Sequence, residues 1–169
     1  MCAVAREAIA KTFSYEGSVL APDDVIVASG CSGALEIAIG ALCPAGTNLL
    51  IPAPGFSLYQ TLCEYKDVAY RHYRLLAERG WEVDLADLER QIDGRTSAIL
   101  VNNPSNPCGS VYSREHLLRI FELAERHCVP LIADEIYWRI VFGSHHFHSL
   151  AELSQRVPVL QVGGLAKVY

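Results

Sequence analysis

Short apolar runs of strand length alternate along this chain with longer stretches whose apolar residues recur every three or four positions. The spacing predicts the tail of a helix over 4–13, then a loop through Ser14, Gly17 and Pro22. Residues 24–28 read as a β-branched strand, and Ser29-Gly30-Cys31-Ser32-Gly33 as the turn after it. Residues 34–42 give a mostly apolar helix that Pro44 and Gly46 end. A strand over 48–51 is closed by the breaker Pro52-Ala53-Pro54-Gly55. Residues 56–65 suit a helix, and 68–75 alternate roughly as a strand.

The second half repeats the pattern. Residues 84–92 read as a helix with Asp84 at its N-cap, and 98–101 as a strand. A proline-punctuated loop follows over 102–109. Ser113 caps the best amphipathic helix of the chain, in which Leu117, Ile120, Phe121, Ala124 and Cys128 share one face. After Pro130 comes the apolar run Leu131-Ile132-Ala133, then an irregular stretch, a short helix near Leu150 to Leu153, and a strand over 157–162. Strands alternating with helices argue for an α/β fold, a largely parallel sheet flanked by helices on both faces. No linker, repeat or low-complexity segment interrupts it, so residues 1–169 read as one domain.

That architecture directs attention to the carboxyl ends of the strands, where open α/β sheets bind ligands. Asp134 stands where the run from Leu131 ends, and a carboxylate buried there needs a cation or strong donors. Tyr137 follows three residues later, and Lys167 lies just past the last predicted strand. An acid, a phenol and a lysine on successive strand ends suit a ligand with a basic ring nitrogen. Most lysines are solvated surface charges, but this one follows a Gly-Gly turn at the ligand-binding end. The turn at Gly30, Cys31 and Ser32 could cradle an anion at a helix N-terminus, although such turns are also glycine-rich for steric reasons. Phe56 either stacks on a flat ligand or is a core residue at a helix start. Asn106, between Pro104 and Pro107, has its backbone restricted on both sides, or marks an ordinary Asn-Pro turn.

Composition narrows the classes. About half the residues, 51%, are hydrophobic, enough for a real core in 169 residues. A net charge of −5 with no basic block argues against nucleic acid. No apolar run approaches the length of a membrane span, and the first residues lack the apolar core of a signal peptide. Six cysteines without a C-x-x-C pair read as reduced thiols of a cytosolic-type compartment. His145, His146 and His148 match no metal-ligand spacing, so they read as a solvated loop and no metal site is expected.

Five segments, in one order, resemble the class I pyridoxal-phosphate aminotransferases, closest to the tyrosine-transaminating members. They are Ser29-Gly30-Cys31-Ser32, Pro54 through Tyr59, Val101 through Ser110, Ala133-Asp134-Glu135-Ile136-Tyr137 and Gly163-Gly164-Leu165-Ala166-Lys167. The resemblance implies a fold type I large domain that binds pyridoxal 5′-phosphate. Lys167 would hold the cofactor covalently and shuttle the proton at the substrate α-carbon. Asp134 would pair with the pyridinium nitrogen, Asn106 and Tyr137 would meet the ring oxygen, Phe56 would stack on the ring, and Gly30, Cys31 and Ser32 would face the phosphate. It also implies transamination of tyrosine with 2-oxoglutarate, in a cytoplasmic or mitochondrial homodimer. An alanine-type aminotransferase, a β-eliminating C–S lyase and a non-catalytic fragment stand as alternatives. In the family a Pro-Gly-Trp-Arg run, a small domain and an N-terminal arm accompany these motifs. None is visible in this sequence, which therefore reads as a partial large domain, expected to be inactive alone.

Overall fold

A computed structural model describes residues 3–169. In chain order the elements are α1 (Ala3–Thr12), α2 (Gly30–Leu42), β1 (Asn48–Ala53), α3 (Leu58–Tyr65), β2 (Ala69–Leu76), β3 (Glu82–Val83), α4 (Leu85–Gln91) and β4 (Thr96–Asn102). Then come α5 (Arg114–Arg126), β5 (Leu131–Asp134), α6 (Leu150–Leu153), β6 (Val159–Val162) and α7 (Leu165–Val168). The six strands form one sheet in the order β3-β2-β1-β4-β5-β6. Every neighbouring pair is parallel except β2 with β3, which is antiparallel. The α/β architecture expected from the alternation is the observed one.

Strand pleating sorts the core into two layers. Leu49, Ile51, Ala98, Leu100 and Ile132 pack with Leu35 and Ile39 of α2 and Tyr59 and Leu62 of α3. Leu50, Ile99, Val101, Leu131 and Ala133 pack on the other face with Leu88 of α4, Leu117 and Ile120 of α5 and Leu150 of α6. Each fully buried aliphatic side chain contributes about 1.5–3 kcal/mol by removal from water, so the two layers hold the sheet from both sides. Parallel strands covered on both faces need apolar residues at consecutive positions, which is why 98–101 and 131–133 read as continuous runs.

The helix caps lie where the sequence puts them. The Asp84 carboxylate accepts from the Asp87 amide at 3.0 Å, and the Ser113 hydroxyl oxygen from the His116 amide at 3.1 Å. At the opposite end of the sheet from the strand carboxyl termini, Asp93 accepts from Asn48 at 2.9 Å and pairs with Arg71 at 2.6 Å. Backbone and side-chain donors there, first the Arg95 amide, hold the Asp93 carboxyl down at about 2.

Several expectations are corrected. Residues 24–28 form no strand: Pro22–Asp24 is a short 3-10 turn, Val25 onwards is irregular, and Ile26 is 68% exposed. A β-branched pattern without a neighbouring strand to accept its backbone does not make a sheet. Helix α2 begins at Gly30, whose φ of +70° suits glycine, so the expected turn over 29–33 is largely its first turn. β1 runs through Pro52 to Ala53 rather than ending at Ile51. Its pairing with β4 stops at Leu50 while β2 continues to Ala53, so the missing proline amide falls on a half-paired stretch. β3 is only two residues long, and its hairpin with β2 turns through Gly80 at φ +64°. Cys128 lies past the end of α5 and is exposed, while His116 and Leu123 join the buried face. Cys2 lies outside the described residues, and the other five cysteines are free. Among the described residues no helix is long and apolar enough to cross a membrane.

Candidate active site

The chain turns outward from β1 to β2 and then crosses to β4 on the other side of β1, which puts the sheet's switch point between β1 and β4. The carboxyl ends of β4, β5 and β6 are level. Asn102 is in register with Asp134, and Asp134 with Val162. Two groups from the end of β4 hold the Asp134 backbone: its carbonyl accepts from the Asn102 amide side chain at 3.0 Å and from the Asn103 N–H at 3.1 Å.

The Asp134 side chain is buried and turns toward the layer of α2 and α3. Its Oδ2 accepts from the Tyr59 hydroxyl at 2.7 Å. Its Oδ1 accepts from the Ile136 N–H at 3.2 Å and from the Cys31 thiol at 3.6 Å. Burial pushes this carboxyl above the usual range, and the bonds from Tyr59, Ile136 and Cys31 pull it back. Burial first, then the Asp134 charge, raise both the Tyr59 hydroxyl and the Cys31 thiol. An acid kept in so dry a setting by neutral donors is suited to a cationic hydrogen-bonding partner.

The other expected residues follow the carboxyl ends of strands or open α2. Phe56 precedes α3, stands 39% exposed, and meets the Tyr59 ring edge-on with centroids 5.7 Å apart. The turn before it is tight: a Cβ at Gly55 would lie 2.4 Å from the Pro52 carbonyl oxygen. Asn106 is half-buried, its N–H donating to the Asn102 side-chain oxygen at 2.6 Å, and the Asn103-Pro104 and Asn106-Pro107 peptides are cis. Gly30, Cys31 and Ser32 open the first turn of α2. The Gly163-Gly164 turn closes on that helix end, since a Cβ on Gly164 would sit 3.4 Å from the Cys31 nitrogen.

Lys167 is exposed on α7, a single turn that starts just past the end of β6. Tyr137 is half-buried in the turn after β5, and its carbonyl accepts from the Ile140 N–H at 2.7 Å. His145 and His146 are exposed on the loop beyond, and among the described residues no group of three or more His, Cys, Asp or Glu could hold a metal ion.

Sequence reasoning missed Tyr59 as the partner of Asp134. The available signal was its position three residues after Phe56 on a predicted helix, which puts both rings on one face. Asn102 and Asn103 were visible only as part of a loop, and Glu135 only as a neighbour of Asp134.

Comparison with known proteins gives a consistent result. The family described as "Aminotransferase class I and II" matches residues 2–169. A tyrosine aminotransferase of Dictyostelium discoideum is 52% identical over 164 residues, covering 97% of this chain and 39% of that protein. The crystal structure of tyrosine aminotransferase from Leishmania infantum superposes with a TM-score of 0.93 at 35% identity, over 98% of this chain and 46% of the other. Alanine aminotransferase from Pyrococcus furiosus superposes with a TM-score of 0.92 at 33% identity, over 98% of this chain and 42% of the other. The chain thus spans about two-fifths of the length of the relatives that it matches.

Proposed function

The chain belongs to the class I and II aminotransferases, and we propose that its parent protein transaminates an aromatic amino acid, tyrosine first, with 2-oxoglutarate as acceptor. Identity near 50% to tyrosine aminotransferases along almost the whole chain supports the choice of donor. Residues 1–169 are then part of the large, cofactor-binding domain. The parent is a cytoplasmic homodimer in this reading, with mitochondria as the alternative compartment.

The residues fit pyridoxal 5′-phosphate. The single observation that carries the fit is Asp134, a buried carboxylate held only by neutral donors at the carboxyl edge of the sheet. A protonated ring nitrogen is the partner such a group lacks. The exposed Phe56 ring supplies a stacking face, and the N-terminal turn of α2 supplies amides for a phosphate at the positive end of a helix. Lys167 supplies the amine that would hold the cofactor, and Asn106 and Tyr137 the donors for its ring oxygen.

When bound, the cofactor supplies an electron sink for the electrons left at the substrate α-carbon. This chain's residues prepare that step. Asp134 would hold a proton at the ring nitrogen as that nitrogen's hydrogen-bonding partner. Tyr59 orients the carboxylate and offsets part of the cost of burying it. The Lys167 amine would move the proton at the substrate α-carbon. Phe56 would offer its ring face as a stacking surface for the cofactor ring.

The test uses the full-length protein with pyridoxal phosphate, tyrosine and 2-oxoglutarate, with glutamate as the readout and alanine as the competing donor. Glutamate formed from tyrosine, and lost in Lys167→Ala, supports the reading. Turnover unchanged in Lys167→Ala overturns the assignment of the amine, and a preference for alanine overturns the donor.

A further inference from the structure

Asp134 and Glu135 are consecutive acids whose side chains leave the strand on opposite sides. Asp134 turns toward α2 and α3, whereas Glu135 turns into the layer of α6. Glu135 is as buried as any acid in the chain, at 1% exposure. Among the described residues it faces no cation: its partners are three neutral donors. Its Oε1 accepts from the Leu150 N–H at 2.7 Å, and its Oε2 from the Ser149 hydroxyl at 2.8 Å and the Gln161 amide at 2.6 Å. Its own N–H donates to the Val162 carbonyl at 3.0 Å.

These contacts have one topological effect. Ser149 and Leu150 are where the chain re-enters regular structure after the excursion that starts at Ile136, so Glu135 ties the two ends of that excursion together. Gln161 adds β6 to the same knot. The excursion carries Tyr137 at its start, and the peptide that links Glu135 to Asp134 is rigid. A shift of the Glu135 backbone therefore moves Asp134 and Tyr137 with it.

We propose that Glu135 is a positioning residue for the candidate site, closing the base of the Ile136–His148 excursion and thereby fixing Asp134 and Tyr137. The positioning part rests on the cofactor reading above; the closure does not. Geometry explains why an acid serves here. Three donors converge on two oxygens, and a carboxylate offers enough lone pairs for all of them, with charge-assisted strength. Burial still pushes the Glu135 carboxyl up to about 7, ahead of those bonds and of the repulsion from Asp134.

The experiment follows amide exchange in the full-length protein without cofactor, and then the pH titration of the absorbance of the loaded protein. Glu135→Leu removes both acceptors and is expected to speed exchange across Ile136–His148 by about tenfold or more, with β1, β4 and α5 unchanged. Glu135→Gln restores slow exchange, because Ser149 can rotate its hydroxyl and Gln161 can turn its amide to meet the new side chain. Should Glu135→Leu fail to fold, Ser149→Ala deletes one donor and loosens the same segment to a smaller degree. In the loaded protein, Glu135→Leu or Ser149→Ala shifts the absorbance midpoint by about half a pH unit or more.

Exchange identical to wild type in both loosening variants overturns the closure. Faster exchange with an unmoved midpoint overturns the positioning role and leaves Glu135 purely structural. A wild-type protein that takes up no pyridoxal phosphate overturns the proposed function and the positioning role with it, while the exchange data still decide the closure.

Discussion

The Tyr59 hydroxyl donates to the Asp134 carboxylate at 2.7 Å, joining α3 to the end of β5 across 75 positions of sequence. Burial raises this carboxyl, and the Tyr59 bond is the largest of the three that pull it back down. Tyr59→Phe keeps the ring and its edge contact with Phe56 but deletes the donor. Loss of a buried bond to a charged acceptor costs about 1.5–3 kcal/mol of stability, readable in urea unfolding of the full-length protein. The Asp134 carboxyl rises further in that variant, so cofactor affinity falls most steeply on the acid side. Affinity equal to wild type across the pH range would contradict the role given to Tyr59.

Two glycines at the site tolerate a methyl group differently. At Gly55 a Cβ would meet the Pro52 carbonyl oxygen, a backbone atom, at 2.4 Å. Gly55→Ala must therefore move the turn that carries Phe56, at about 1–3 kcal/mol, and cofactor binding weakens with it. At Gly164 the nearest atom is the tip of the Ile136 side chain at 3.1 Å, which can swing away. Its φ of −176° is open to any residue. Gly164→Ala stays within about 1 kcal/mol of wild type. Thermal melts and cofactor titrations of the pair check the contrast.

His116 ties the short edge strand to α5. Its Nε2 accepts from the Val83 N–H at 3.0 Å, which only the unprotonated nitrogen can do. Burial, opposed by Glu82 and aided by Arg119, holds this imidazole below its ordinary value. A histidine depressed in the folded state takes up its proton more readily when unfolded. Its contribution is therefore complete above about pH 6.5 and is lost as pH falls through the folded value. His116→Gln keeps an acceptor and cannot titrate. The stability difference between wild type and His116→Gln is expected to shift against wild type as pH drops from about 7 to about 5. Measuring the difference between the two proteins cancels Glu135, whose raised carboxyl gives the opposite slope. Parallel pH curves for the two proteins would rule out a titrating His116.

Thiol reactivity separates the described cysteines. Cys43 and Cys63 are buried in the layer of α2 and α3, and burial pushes them up to about 12 and about 11. Burial and the Asp134 charge raise Cys31 as well. The thiolate is the reactive form, so alkylation at about pH 8 should label exposed Cys128 well before these three. Mass spectrometry of the labelled peptides, with and without urea, reads the order. Rapid labelling of Cys31 in the folded protein would mean that Asp134 is not the charge beside it.

Most of this architecture could be read from local pattern. Residues Leu117, Ile120, Phe121 and Ala124 of α5 repeat at helical spacing, and Ser113 and Asp84 announce their helices by side-chain chemistry that acts within three residues. The failures depend on distant partners. Residues 24–28 have strand-forming side chains but, among the described residues, no strand to pair with, and β3 exists only because β2 folds back on it through Gly80. At the site, Asp134 was legible because a carboxylate after a buried strand is chemically conspicuous. Tyr59 was not, because a buried tyrosine looks the same in a sequence whether its hydroxyl meets a carbonyl, as in Tyr73, or a carboxylate.

The two-layer pleat also determines which kinds of genetic change this segment can survive. In β5, Leu131 and Ala133 face one layer and Ile132 the other, so parity carries Asp134 to α3 and Glu135 to α6. Losing or gaining one codon within Leu131–Asp134 would reverse that parity. It would send an acid into each layer that had the wrong partners waiting, and turn the apolar side chains the wrong way at the same stroke. Substitutions in this strand can be graded by size and polarity, but a single-codon indel changes every assignment at once. In a collection of variants of the full-length protein, such indels should be depleted here far more strongly than in the Ile136–His148 excursion, where no pleat counts the residues.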